Sequence, residues 1–232
     1  MQSSETQSLL IALPAPADSL ALSLSPPAED HTAQLRLLQR FLTPATTFLE
    51  LCEDDYSLAL TIAEQVKRTY AALDISSIPG MGQRLPEKFH LALAHRANVP
   101  VPSSCIDVAY TKCRLDLLRP GEVLDLLAEV YRALAPRGTF LCMAVNRLLS
   151  PQDQPAARTT YTIAELRAML RKVGFRQVTQ YVRWRDTYAA LPSSVLRLFE
   201  AIVGALTPKR RVQACRSSIV RAALDIRFAA RK

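Results

Sequence analysis

The stretch FLELCEDDYSLALTIAEQVKRTYAALDISS (Phe48–Ser77) decides how this chain folds. With Thr47 before it, its opening is a short apolar run to Cys52 that reads as a buried strand. From Tyr56 to Val66 the apolar residues Leu58, Ile62 and Val66 recur at helical spacing. Thr69 to Leu73 then reads as a second strand, ending at Asp74. Strand, helix and strand within about 30 residues form a βαβ unit, which requires parallel pairing and a right-handed crossover.

The pattern extends outward in both directions. Upstream, Thr32 to Phe41 has helical spacing, with Leu35, Leu38 and Phe41 on one side, and Thr43-Pro44 punctuates it. Residues 1–31, rich in Ser, Pro and Ala, are expected to form a mobile arm. Downstream, His90–Leu93 and Ile106–Tyr110 read as further strands. Glu122–Leu134 reads as a helix and Thr139–Val145 as a buried strand. Thr162-Ile163-Ala164-Glu165 is a capping box that opens a helix, and Gly174 supplies its stop. Val178–Val182 and Ile226–Ala230 are expected to be antiparallel strands closing the far edge of the sheet. The expectation is a flexible arm over residues 1–31, then one doubly wound α/β domain over residues 32–232. Its sheet is mostly parallel and seven-stranded.

Composition narrows the function. Of 232 residues, 49% are hydrophobic and 22% charged, which excludes collagen-like and wholly disordered classes. Only six are glycine, too few for the usual glycine-rich nucleotide cradle. The net charge of +8 is uneven: residues 1–116 hold 9 Lys/Arg against 13 Asp/Glu, and residues 117–232 hold 20 against 8. Such asymmetry points to a polyanion, an acidic partner or a solvated basic face. Five scattered cysteines without a CxxC pattern read as reduced thiols, and three histidines without ligand spacing give zinc no support. The first basic residue is Arg36, and Pro14, Pro16, Pro26 and Pro27 interrupt the early apolar stretch. That pattern fits neither a secretory signal nor a membrane span, so a cytoplasmic protein is expected.

Four blocks carry a family resemblance: Phe48–Ser77, Ala97–Pro120, Glu129–Leu148 and Tyr161–Val178. In order and spacing they resemble class I S-adenosylmethionine-dependent methyltransferases, in particular the methyltransferase type 11 group, over roughly residues 35–185. The resemblance implies a cofactor crevice at the carboxyl ends of the first strands. It also implies an acid-x-G-x-G-x-G loop after the first strand, where glycines let the backbone approach the ligand. Glu50 matches the leading acid, but the three glycine positions fall on Cys52, Asp54 and Tyr56. Asp54, flanked by Glu53 and Asp55, puts carboxylates where the ligand's own carboxylate would lie. One like-charge pair at 4 Å costs about 4 kcal/mol at an effective dielectric of 20.

The resemblance places Asp74 where the family's acid binds the ribose. It places His95 or Arg96 where relatives carry an acid near the adenine, and Asp116 where many begin an acid–His pair. The family's KPGG-like turn reads Ala135-Pro136-Arg137-Gly138, with one glycine lost. The expectation is a methyltransferase-fold protein that has lost S-adenosylmethionine binding, needs no cofactor, and serves as a non-catalytic partner or regulatory subunit, for instance of an active paralogue. Two alternatives stay open. One is an active enzyme in which Glu50, Asp74 and the remodelled 52–56 backbone hold S-adenosylmethionine and Asp116 orients an acceptor. The other is a nucleic-acid-binding module.

Other chemistry has little footing: there is no nucleophile elbow and no P-loop. Lys112, Cys113 and Arg114 follow the fourth strand and are expected to line the cleft, either as solvated residues of its edge or as ligands of an anion. A second candidate surface is basic: Arg183 and Arg185 around Trp184, then Lys209, Arg210, Arg211, Arg216 and Arg221. With Leu198, Phe199 and Ile202 as apolar anchors, it suits an acidic protein partner better than nucleic acid.

Overall fold

The computed structural model describes residues 32–52, 56–74, 85–94, 97–112, 114–149, 159–184 and 187–232, with the side chain of Asp74 outside the described set. Eight strands form one sheet: β1 (Thr47–Leu51), β2 (Arg68–Asp74), β3 (Phe89–Ala94), β4 (Ile106–Lys112), β5 (Leu134–Ala144), β6 (Gln177–Trp184), β7 (Thr187–Leu191) and β8 (Ile226–Arg231). Their order is β3-β2-β1-β4-β5-β8-β6-β7. The pairs β1/β2, β2/β3, β1/β4 and β4/β5 are parallel, whereas β5/β8, β8/β6 and β6/β7 are antiparallel.

Two expectations need correction. The sheet has eight strands rather than seven, because Thr187–Leu191 adds an antiparallel edge beside β6. In addition β6, antiparallel to β8, runs with the parallel set, so β7 and not the β6/β8 pair closes the far edge. The sequence concealed β7 because Tyr188 is its one buried residue.

Helices cover both faces. On one side lie α1 (Thr32–Leu38) and α2 (Ser57–Ala63), whose Leu38, Leu58 and Ile62 meet Phe48, Leu73 and Tyr110 of the sheet. On the other lie α3 (Pro120–Ala133) and α4 (Ile163–Val173), whose Val123, Leu127, Val130, Leu166 and Leu170 meet Leu49, Ile106, Phe140 and Phe228. Helix α2 is shorter than its apolar spacing suggests, because the chain turns at Glu64–Lys67 to enter β2. Between β7 and β8 come three more helices, α5 (Ser193–Gly204), α6 (Pro208–Ala214) and α7 (Ser218–Leu224). Among the described residues no helix is long and apolar enough to cross a membrane.

Local signals explain the element ends. Helix α3 begins on Pro120, whose missing N–H costs nothing in the first turn, and the Glu122 carboxylate accepts from the Arg119 N–H at 3.0 Å. The capping box forms as read: the Thr162 hydroxyl accepts from the Glu165 N–H at 3.1 Å, and the Glu165 carboxylate accepts from the Thr162 N–H at 2.8 Å. Burial works against the Glu165 charge, yet that N–H and nearby Arg147 hold its carboxyl below the ordinary value. Gly174 stops α4 at φ +120°, and a side chain there would press on the Tyr131 ring.

Within the first residues of β5 the pairing with β4 jumps from Ile106↔Leu134 to Val108↔Thr139. The irregular stretch Ala135–Gly138 of β5 takes up the slack. Arg137, the lost-glycine position, still adopts φ +68°. A Cβ on Gly138 would lie 2.9 Å from the Ala135 carbonyl and 3.0 Å from that of Ile106, so this glycine is required.

Candidate functional site

The chain order reverses between β1 and β4, and the crevice of an open α/β sheet opens at the carboxyl ends of its strands on either side of such a switch point. Here the carbonyls at that edge are already engaged. The Thr111 hydroxyl donates to the Leu51 carbonyl at 3.2 Å. The Cys52 N–H donates to the Ala72 carbonyl at 2.9 Å. Arg114, the first residue of the 3-10 turn Arg114–Leu117 that follows β4, folds its side chain back over the strands. Its Nη1 donates to the Cys52 carbonyl at 2.8 Å and to the Ala72 carbonyl at 3.3 Å, and the residue is only 3% exposed. A guanidinium is thus buried across the ends of β1 and β2.

The same turn is held from behind. Asp116 is fully buried, and its carboxylate oxygens accept from the Val145 N–H at 3.3 and 3.2 Å. Its carbonyl accepts from the Thr159 N–H at 2.7 Å. The Tyr161 hydroxyl donates to the Leu115 carbonyl at 3.0 Å, and the Thr159 hydroxyl to that of Leu118 at 2.8 Å. Burial first, and the Asp116 charge second, push the Tyr161 phenol up to about 12. Three residues, Val145, Thr159 and Tyr161, converge on this short turn and fix Arg114 at its head.

The residues singled out by sequence fall in different places. Glu50 is buried in β1, level with Ala71 of β2 and Tyr110 of β4. Cys52 is buried just past the strand, its backbone meeting Ala72 and Arg114. Tyr56 precedes α2, and its half-buried ring lies against that of Phe89 at 5.7 Å between centroids, packed on the core under α2. Asp74 ends β2, level with Ala94 of β3. Asp54, His95, Arg96 and Arg185 lie outside the described residues, as do Glu53, Asp55, Cys113 and the expected arm over residues 1–31. Sequence reading placed Arg114 at the cleft edge, as a solvated residue or an anion ligand. Its main-chain partners carry no side-chain signature that a sequence can display.

The basic surface is partly assembled. Lys209 and Arg210 are exposed on α6, and Arg216 is exposed in the turn after it. Arg211 instead turns inward, donating from Nη2 to the carbonyls of Gly204 at 2.8 Å and Leu206 at 3.2 Å, where it fastens the end of α5. Arg183 is exposed on β6, level with Tyr188. Val195, Leu198 and Ile202 are each more than half exposed and spaced along one side of α5, while Phe199 is half-buried. Glu200 on the opposite side is buried; its carboxylate accepts from the Ile163 N–H at 2.9 Å and from Asn146 Nδ2 at 2.7 Å. Sequence reading missed this carboxylate, which ties α5 to the start of α4 and to the end of β5.

No protein-family model matches the sequence, and no curated protein matches it. Solved structures do. A chain from the Haloferax volcanii complex that contains the Trm112 methyltransferase activator is 14% identical, with 87% of this chain and 89% of that one covered and a TM-score of 0.59. An S-adenosylmethionine-dependent methyltransferase from Mesorhizobium loti is 14% identical, with 86% and 98% covered and a TM-score of 0.57. The Burkholderia thailandensis 1,6-didemethyltoxoflavin-N1-methyltransferase, with its substrate and S-adenosylhomocysteine bound, is 16% identical, with 88% and 77% covered and a TM-score of 0.55. Together with the strand order and the switch point, these matches establish that the chain has the class I S-adenosylmethionine-dependent methyltransferase fold.

Proposed function

We propose that this chain is a non-catalytic methyltransferase-fold protein whose cofactor crevice is closed by its own Arg114 and which acts through protein contacts. The observation that carries this reading is the buried guanidinium bonded to the Cys52 and Ala72 carbonyls. A ligand laid across the ends of β1 and β2 would have to displace it, breaking charge-assisted bonds of roughly 1.5–3 kcal/mol each. The loop composition supports the same reading, since Cys52, Asp54 and Tyr56 stand where glycines would let a ligand approach. Asp116 also gives its carboxylate to the Val145 N–H, away from any acceptor. In this reading S-adenosylmethionine does not fit these residues.

The partner in this reading is an acidic protein. The outward side of α5 offers Val195, Leu198 and Ile202 with the exposed Arg197, and Lys209, Arg210 and Arg216 are exposed on and just after the next helix, α6. An apolar centre with a cationic rim selects an acidic, partly apolar surface. A chain of like fold occurs in a complex that contains a methyltransferase activator, an assembly of the kind this reading calls for.

Equilibrium dialysis against radiolabelled S-adenosylhomocysteine tests the crevice. The reading expects no retention at millimolar ligand. Retention with a micromolar Kd overturns it, in favour of an enzyme in which Glu50 and Asp74 hold the cofactor.

A further inference from the structure

A pocket of about 460 Å³ opens where β6 ends and β8 begins, lined by Arg183, Trp184, Ser218, Arg221, Asp225 and Arg227 among others. Three elements meet there. Trp184 is the last residue of β6, Arg227 the second of β8, and Ser218 and Arg221 belong to α7. Among the described lining residues, three guanidinium groups and one carboxylate border the pocket.

The least exposed of the three carries an unmet bond. Arg227 Nη2 pairs with Asp225 Oδ2 at 2.5 Å, and its guanidinium carbon stands 5.9 Å from the Tyr188 ring centroid. Its Nη1, by contrast, is buried with no hydrogen-bond partner among the described residues. Native proteins rarely leave a buried charged donor unmet, because its lost hydration is then uncompensated. At the rim stands Trp184, 52% exposed and the single tryptophan of the chain. An exposed indole beside arginines is a stacking surface for a flat ring.

The geometry points to a binding site for a phosphate monoester that carries a planar ring, with a nucleoside monophosphate as its simplest form. The planar arginine forks, with the unmet Arg227 Nη1 among them, match the oxygens of a phosphate. The indole matches the ring, and the pocket volume falls in the range of small-molecule sites. The site is separate from the crevice over β1 and β2, so its occupancy does not depend on S-adenosylmethionine.

Trp184 makes the test direct, since tryptophan emission from this chain reports on this residue alone. Adenosine 5′-monophosphate is titrated with excitation at the red edge of the indole band, where adenine is transparent. The site predicts a saturable change in emission, with adenosine and inorganic phosphate each binding at least tenfold more weakly. Arg221→Ala and Arg183→Ala, both exposed positions, each weaken the monophosphate about tenfold and leave the far-ultraviolet circular dichroism unchanged. Four results overturn the proposal: no saturable response at millimolar monophosphate, adenosine as tight as the monophosphate, phosphate as tight as the monophosphate, or unchanged affinity in both arginine variants.

Discussion

Arg114 Nη1 lies 2.8 Å from the carbonyl oxygen of Cys52, which joins the turn after β4 to the end of β1 across 62 residues of sequence. The bond is charged and buried, so its loss leaves the carbonyl without that donor and a hole where the guanidinium stood. Arg114→Ala is expected to cost about 2 kcal/mol, the scale of a charge-assisted bond. Urea denaturation reads this as a lower midpoint at unchanged slope. An unchanged midpoint would mean that the guanidinium does not brace the strand ends.

Arg137 supplies a prediction of the opposite sign. A non-glycine residue in the left-handed region costs roughly 1–2 kcal/mol, and Arg137 sits at φ +68°. Glycine returns about 0.5–1 kcal/mol of that through its greater freedom in the unfolded chain. The bond from Arg231 Nε goes to the Arg137 carbonyl, so it survives substitution. Arg137→Gly is expected to stabilise the protein by up to about 1 kcal/mol, read as a raised Tm. A lowered Tm would contradict the reading of this turn.

Much of the fold was legible because its signals are local. The β1–α2–β2 unit rests on apolar runs and 3.6-residue spacing within one short stretch, and the Thr162–Glu165 box and Gly174 each act over a single turn. What escaped notice depends on distant partners. Strand β7 has one buried side chain, so neither alternation nor an apolar run marks it. Glu200 looks like an ordinary surface acid of α5 until the N–H of Ile163 is found against it. The same holds for Arg114, whose role is set by two carbonyls that every residue type possesses. The cofactor positions were legible as departures from a glycine pattern. The Arg114 bonds to the Cys52 and Ala72 carbonyls were not.

Stability should fall in alkali. Burial pushes the Cys142 thiol up from near 9 to about 12, and Tyr161 rises from near 10 to about 12. Both groups stay protonated in the folded chain while the unfolded chain begins to lose those protons. The native state therefore binds more protons between about pH 9 and 12. The stabilisation is complete below pH 9 and is lost as pH rises through that window. Guanidinium denaturation at a series of pH values checks this, and Cys142→Ala is expected to flatten the slope above pH 9. An unchanged slope in that variant would exclude Cys142 as a source.

Glu200 tests how the α5–α7 segment is fastened. Glu200→Ala strands the Ile163 N–H and the Asn146 amide in a buried place, at a cost of about 1–3 kcal/mol. Because the carboxylate bridges α5 to α4 and β5, the loss should concentrate in residues 193–225. Limited proteolysis is expected to cut that segment first in the variant and more slowly in the parent protein. Equal cleavage rates would mean that other contacts hold α5 in place.

The proposal that Arg114 closes the crevice is tested most directly by isothermal titration of the folded protein with S-adenosylmethionine and then with S-adenosylhomocysteine. With Arg114 bonded across the ends of β1 and β2, neither ligand should give binding heat up to millimolar concentration. A micromolar Kd for either would contradict the account and mark the crevice as a working cofactor site.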